Sequence, residues 1–460
     1  MAKYQAYAEY KDSGVGFLGE IPEHWIVSKV KYLAPFQVGW TPPTKNDSNF
    51  IGDNLWVNIS DLKGKVINNT VKQISDKAAL EASMDITPKG SLMYSFKLSV
   101  GAVSFAGCDM YTNEAIASFL HSAKLPLSYL YYALPKFVIE NASTNIYGAN
   151  ILNQELIRNA LLVEIPYIEA EKIANFLDHE TAKIDHLIEK QQQLIELLKE
   201  KRQAVISHAV TKGLDPNVPM KDSGVEWLGQ VPEHWDVSKF AYLKQVLTDY
   251  TANGSFADLK ANVQYLDEPS FARLVRLTDL RKDLANTDGV WVNKKSYEYL
   301  KKSALYGGEF LLANVGAYAG LFYQMPFDKG YASLAPNMFM AKFDQSKVSR
   351  EFMAYVGQSI PVSSQLRLSA TASSAQPKLN KDDFKAVRFV YPGLKEQQKI
   401  VDYLDQELKQ IDILLKKQEQ AISLMQERRT ALISAAVTGK IDVRHWQAPM
   451  VAGAQTELSA

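Results

Sequence analysis

The chain has 460 residues and 51 basic against 51 acidic side chains, which is too long for one ordinary core and leaves no surplus charge for a polyanionic partner. Phosphate affinity is built from Lys and Arg, so zero net charge removes the simplest argument for nucleic acid while leaving a local basic surface open. A hydrophobic share of 47% excludes a disordered chain, and the single cysteine, Cys108, excludes an internal disulfide and favours a reducing, cytoplasmic compartment.

Residues 1–20 lack the apolar run of a signal peptide. The segment KDSGVGFLGEIPEHWIVSKVKYL (residues 11–33) returns as KDSGVEWLGQVPEHWDVSKFAYL (residues 221–243), identical at 16 of 23 positions. His24 and His234 recur inside PEHW beside Trp25 and Trp235, where a structural role is expected. After the first copy, apolar runs such as residues 91–105 alternate with Gly, Asn and Pro, which predicts a mixed α/β domain in which Cys108 is packing. Its polar loops supply Lys45, Asn46, Lys97, Asn145 and Tyr147, side-chain types that contact nucleic acid.

From residue 169 the pattern changes to a helix without proline. Leu177, Ile184, Gln191, Leu198 and Val205 fall at seven-residue spacing, a coiled-coil seam. About 40 residues at 1.5 Å each span roughly 60 Å. The second copy has its own seam in Leu404, Ile411, Gln418, Met425 and Leu432, and residues 172–211 match 399–438 at 21 of 40 positions. Gln191 and Gln418 are either tolerated polar residues or a register-setting pair. Antiparallel pairing of the two seams would relate the globular blocks by an approximate twofold axis and make the helices a ruler.

The second block, 17 residues longer by the difference of the two repeat offsets, echoes VNISDL (residues 57–62) as VRLTDL (residues 275–280). Residues 216–395 carry 22 basic against 18 acidic side chains and form the only basic part of the chain. Candidates there are Arg273, Arg276 and Lys282 in a basic run, and Arg367, Gln376 and Lys378 in a polar stretch. Residues 310–327 carry no charge but are broken by Asn314, Gly316, Gly320, Gln324 and Pro326, which fits buried strands and a turn rather than a membrane span. The layout reads as globular domains at 1–168 and 216–395, helices at 169–215 and 396–442, and a disordered tail at 443–460.

Phosphate-loop, HExxH and paired CxxC motifs are absent, so no catalytic, cofactor or metal residue is assigned. The duplicated SGVGFLGEIPEHW and SGVEWLGQVPEHW, the paired helices and the endings ISHAVTKGLD and ISAAVTGKID resemble the specificity subunit of type I restriction-modification systems over nearly the whole chain. The resemblance implies an α+β fold in which two target recognition domains are separated by two long antiparallel coiled-coil helices, with an internal pseudo-twofold repeat. It implies a non-catalytic reader of double-stranded DNA, each domain taking one half of a bipartite asymmetric site. It further implies docking of two methyltransferase subunits that use S-adenosylmethionine, joined by restriction and motor subunits that use ATP. No cofactor belongs to this chain and no membrane partner is expected. The contact candidates come from side-chain type and loop context, not from the resemblance. Two other readings are a self-sufficient DNA methylase or nuclease, whose Asn/Asp-Pro-Pro-Tyr/Phe signature is absent, and a coiled-coil scaffold between protein-binding blocks.

Overall fold

The computed structural model describes residues 4–144, 150–282, 284–371 and 377–448. The chain forms two compact units, residues 1–191 with 420–460 and residues 192–419. The unit boundaries fall inside both long helices, whereas the sequence reading sets those helices apart as spacers.

In the first unit a five-stranded sheet runs Phe36–Val38, Ile116–Phe119, Leu92–Ser95, Val103–Ala106, Val66–Ile67. Leu92–Ser95 is buried at every position because it is central and covered on both faces. A three-stranded sheet places Asn54–Val57 between Tyr111–Thr112, which is parallel to it, and Lys72–Ile74, which is antiparallel. The helix Leu127–Ile139 buries Tyr129, Leu130, Ala133, Leu134 and Phe137, one helical stripe turned to the core.

The second unit repeats this plan. Lys244–Asp249, Met338–Phe343, Phe310–Ala313 and Phe322–Gln324 form one sheet, and Ala272–Val275 lies between parallel Ala332–Leu334 and antiparallel Val290–Val292 in another. The uncharged stretch from residue 310 is therefore a buried strand, a turn and a half-buried strand, with the turn where its Gly and Asn residues suggest. No helix among the described residues is long and apolar enough to cross a membrane. Phe240 centres the core of this unit, with ring centroids 5.0–5.7 Å from those of Phe310, Phe343, Phe384 and Phe389.

Tyr167–Lys212 and Leu394–Val437 are single helices of 46 and 44 residues. In the first unit Leu177 and Ile184 share a core with Leu432, and half-buried Met425 packs on it. In the second, Leu198 shares a core with Leu404 and Ile411, and half-buried Val205 packs on that one. Each unit thus contains an antiparallel helix pair with the expected seam residues inward. One reciprocal ion pair marks each: Asp185 with Arg429 at 2.8 Å, and Arg202 with Asp412 at 2.5 Å. These are equivalent residues with the roles of the two helices exchanged. Gln191 and Gln418 are both half-buried.

The repeated PEHW segment explains why it is repeated. In the first unit Trp25 Nε1 donates to Glu169 at 3.0 Å and His24 Nε2 lies 2.8 Å from its other oxygen, in the first turn of one long helix. A Cβ on Gly439, just past the other helix, would stand 2.3 Å from Pro22, so only glycine, at φ 75°, lets that helix end against the segment. In the second unit Trp235 and His234 bind Glu396 at 3.1 and 2.8 Å, and Gly213 ends the opposite helix beside Trp235. PEHW is a buckle that joins the start of one helix to the end of the other, and the acceptor carboxylate suits the positive end of the helix.

The tail departs from the sequence expectation. Val443 is buried, Asp442 N–H donates to the Gln5 carbonyl at 2.8 Å, and the Trp446 ring meets Phe176 edge-on at 5.6 Å. Apolar contacts with the first-unit core order the segment as far as Trp446; residues 449–460 lie outside the described residues.

Candidate nucleic-acid interface

Equivalent loops leave the same ends of the central strands in both units. Ser95 and Ala313 hold equivalent positions, paired with Ile116 and Met338, and each is followed by a connection to the next strand of its sheet. Beside it lies a capped turn that follows the strand Asn54–Val57 or Ala272–Val275.

In the first unit this connection carries Lys97, whose ammonium lies 3.7 Å from Glu114, and the Thr41 hydroxyl donates to the other oxygen of Glu114. Burial alone would raise the Glu114 carboxyl, but Thr41, a backbone N–H and Lys97 outweigh it and hold the group below the usual range. Three loops therefore converge, and Lys97, half exposed, keeps donors for a ligand. Gly39 allows one of them to approach, since a Cβ there would overlap the Thr112 carbonyl at 1.8 Å. Lys45 and Asn46 are exposed further along that loop. Lys45 has no ion pair among the described residues, whereas Asn46 caps a turn by accepting the Ser48 N–H at 3.3 Å.

The second unit is more basic at this place. Arg281 donates to the Tyr318 hydroxyl at 2.9 Å, and its guanidinium sits 4.8 Å from the centre of that ring. Both are exposed, an arginine with a fixed plane and donors to spare. Gly320, at φ 82°, brings this connection onto the helix Ile360–Thr371, where a Cβ would lie 2.7 Å from the Leu366 carbonyl. That contact sets exposed Arg367 beside the loop, and a bridge between Val315 and Lys378 brings exposed Lys378 to it.

Other candidates are placed differently. Arg273 is 6% exposed and its guanidinium donates to the Leu284 carbonyl at 2.8 Å and to Asp279 at 3.2 Å. It is a buried structural arginine, which corrects its assignment to DNA contact. Arg276 chelates Asp279 through Nε and Nη2 at 3.0 and 2.9 Å and donates to the Asp288 carbonyl, so most of its fork closes the turn rather than facing outward. Asp279 is fully buried; burial pushes its carboxyl up, but Arg276, Asn286 and a backbone N–H outweigh that and hold it at about 2. Lys282 is exposed, 3.9 Å from Asp288. Asn145, Tyr147 and Gln376 lie outside the described residues.

Arg281 with Tyr318, and Thr41 with Glu114, were not singled out in sequence. Arg281 was visible as part of the basic run, but its aromatic partner stands 37 residues away. Among the described residues no group of His, Cys, Asp and Glu could hold a metal ion.

Comparison with known proteins agrees with this architecture. The chain is 28% identical over 204 residues to the specificity subunit of the type I restriction enzyme MjaIX of Methanocaldococcus jannaschii, a match covering 43% of this chain and 46% of that protein. It is 22% identical over 446 residues to the StySPI specificity subunit of Salmonella potsdam, covering 94% of this chain and 92% of the relative. Two solved structures, each 14% identical, share the fold: one from a study of complex assembly and conformational transition of the type I restriction-modification system, with TM-score 0.68 over 92% of this chain and 99% of that one, and the HsdS subunit of Thermoanaerobacter tengcongensis, with TM-score 0.50 over 92% and 98%. The family model for the type I restriction modification DNA specificity domain matches residues 22–197 and again residues 270–423. The chain belongs to the family of type I restriction modification DNA specificity domains and carries that domain twice.

Proposed function

We propose that each unit reads one half of a bipartite, asymmetric site on double-stranded DNA through its loop face, while the long helices set the spacer and dock methyltransferase subunits. The chain itself is the specificity subunit of a type I restriction-modification complex and does no chemistry. One observation carries the reading: the two units share the order of their common strands, the helix pair and the buckle, yet their equivalent loops differ, with Lys97–Glu114 in one and Arg281–Tyr318 in the other. A common frame with different donors at one place suits two readers of different sequences. A bidentate Arg–guanine pair discriminates by about 1–3 kcal/mol. Two linked readers then gain by effective concentration what each half-site lacks alone.

Docking has its own support. Leu187 and its repeat equivalent Leu414 are 48% and 42% exposed, and Leu197 and Leu424 are 61% and 65% exposed. Apolar side chains kept at equivalent exposed positions fit one kind of partner bound twice. On this reading S-adenosylmethionine and ATP are used by the methyltransferase and restriction subunits, in the cytoplasm.

Mapping methylated adenines in cells that carry the system tests the proposal. Arg281→Ala should relax one half-site and Lys97→Ala the other, each leaving the remaining half unchanged. Uniform weakening across unrelated sequences would mark phosphate contacts instead. Purified chain showing no sequence-dependent DNA retention, with or without methyltransferase subunits, would leave only the scaffold reading. Inserting four residues near Gln191, about 6 Å of helix, should lengthen the spacer by roughly one to two base pairs with both half-sites intact.

A further inference from the structure

The second unit contains a cavity of about 250 Å³ at the end of its four-stranded sheet away from the reading loops, where the strand Phe310–Ala313 begins. Phe310, Phe322 and Met353 supply an apolar floor, with the two phenyl centroids 4.1 Å apart. Three charged side chains line it: Glu309, Lys342 and Arg350.

Their pairing decides what the cavity accepts. Glu309 is 4% exposed and fully engaged, one oxygen accepting the Tyr306 N–H at 3.0 Å with Lys342 at 3.4 Å, the other accepting the Gly307 N–H at 2.9 Å. Arg350, in contrast, makes no ion pair and no side-chain hydrogen bond among the described residues; its guanidinium lies 5.8 Å from the Phe327 ring. A cation entering the cavity would find the only carboxylate already neutralised and would face a free guanidinium. An anion would find a planar set of donors above an apolar floor.

The first unit supplies an internal control. Its equivalent of Glu309 is Ser91, which precedes Leu92 as Glu309 precedes Phe310, and the Ser91 hydroxyl is buried without a partner among the described residues. The charged arrangement is thus an addition to the second unit and not part of the shared frame.

We infer that this cavity is a binding site for a small anion with an aromatic or apolar body, carboxylate or phosphate, held by Arg350 and seated on Phe310, Phe322 and Met353. The site is separate from DNA reading and stands or falls without it. The test follows the methionine methyl resonances of the full chain, labelled at the ε-carbon, during titration with benzoate, phenyl phosphate and benzylamine. Benzoate or phenyl phosphate should move the Met353 methyl saturably, and which binds more tightly identifies the anionic group. Benzylamine should bind at least tenfold more weakly. Arg350→Met should weaken the anion at least tenfold while the remaining methionine resonances stay in place. Ala354 also lines the cavity, and Ala354→Leu, which keeps both cations and fills the space above the floor, should abolish binding and decides the matter should Arg350→Met disturb the fold. Unchanged anion binding in Ala354→Leu, or a Met353 methyl unmoved by either anion in the unaltered chain, overturns the inference.

Discussion

The two units place one structural device and one variable device side by side. Their buckles are nearly interchangeable: Trp25, His24 and Glu169 match Trp235, His234 and Glu396 to within 0.1 Å in both hydrogen bonds. The loops at the proposed DNA face are not. The turn after the strand Asn54–Val57 is closed by Asn58 and Asp61, whereas the equivalent turn after Ala272–Val275 is closed by Arg276, Arg273, Asn286 and a fully buried Asp279. Residues that hold helix ends tolerate little change, because one carboxylate must meet two fixed ring donors. Residues on the loops need only a stable base, and each unit has built its own.

That contrast is sharpest at the two turns. Asp279→Ala should destabilise the second unit by about 3–5 kcal/mol, since it leaves two guanidinium groups uncompensated, one of them buried. Asp61→Ala removes the cap on Asn58 N–H and a longer, exposed bond from Val71 N–H but leaves no buried charge, and should cost about 1 kcal/mol. Urea unfolding followed by hydrogen exchange in each unit separates the two, and equal losses would break the comparison. Acid gives the same answer by another route. Asp279 titrates at about 2 in the fold against 3.8 for a free carboxyl, so folding favours its ionised form. The stabilisation, about 2 kcal/mol, is present above about pH 4 and is lost as the pH falls through 2. Asp279→Asn should flatten that limb of the second unit's stability curve and leave the first unit's curve unchanged.

The buckles should respond alike but not equally. Glu169 is buried and also accepts the Tyr7 hydroxyl at 2.7 Å, while Glu396 is more exposed and has no third donor among the described residues. Glu169→Ala should therefore cost about 2–3 kcal/mol and Glu396→Ala about 1 kcal/mol, read as separate melting transitions of the two units. The smallest effects belong to the ion pairs between helices. Arg202→Ala and Arg429→Ala should each change stability by less than about 1 kcal/mol, because both pairs are exposed and screened.

The frame was legible because duplication acts as an internal comparison. A segment written twice at 16 of 23 positions, and a seven-residue apolar period in both long segments, are local patterns that survive without any knowledge of contacts. Val443 and Trp446 show where such reading fails: their surroundings look featureless in sequence, and only packing on Phe176 and the first-unit core orders them. Arg273 fails for a related reason. A basic run appears the same whether an arginine faces solvent or an aspartate six residues on, and the partner that settles it is reached through a turn.

Length, duplication and periodicity were thus enough to define two mixed domains, two long helices with inward seams and the absence of familiar catalytic motifs, since each rests on residue spacing along the chain. Which arginine is buried, which is held out on a tyrosine ring, why PEHW recurs and where an arginine without an ion pair among the described residues lines a cavity with an apolar floor were decided by tertiary structure. Each depends on two residues brought together from distant positions, and charge and hydrogen bonding take their meaning from that partner rather than from neighbours in sequence.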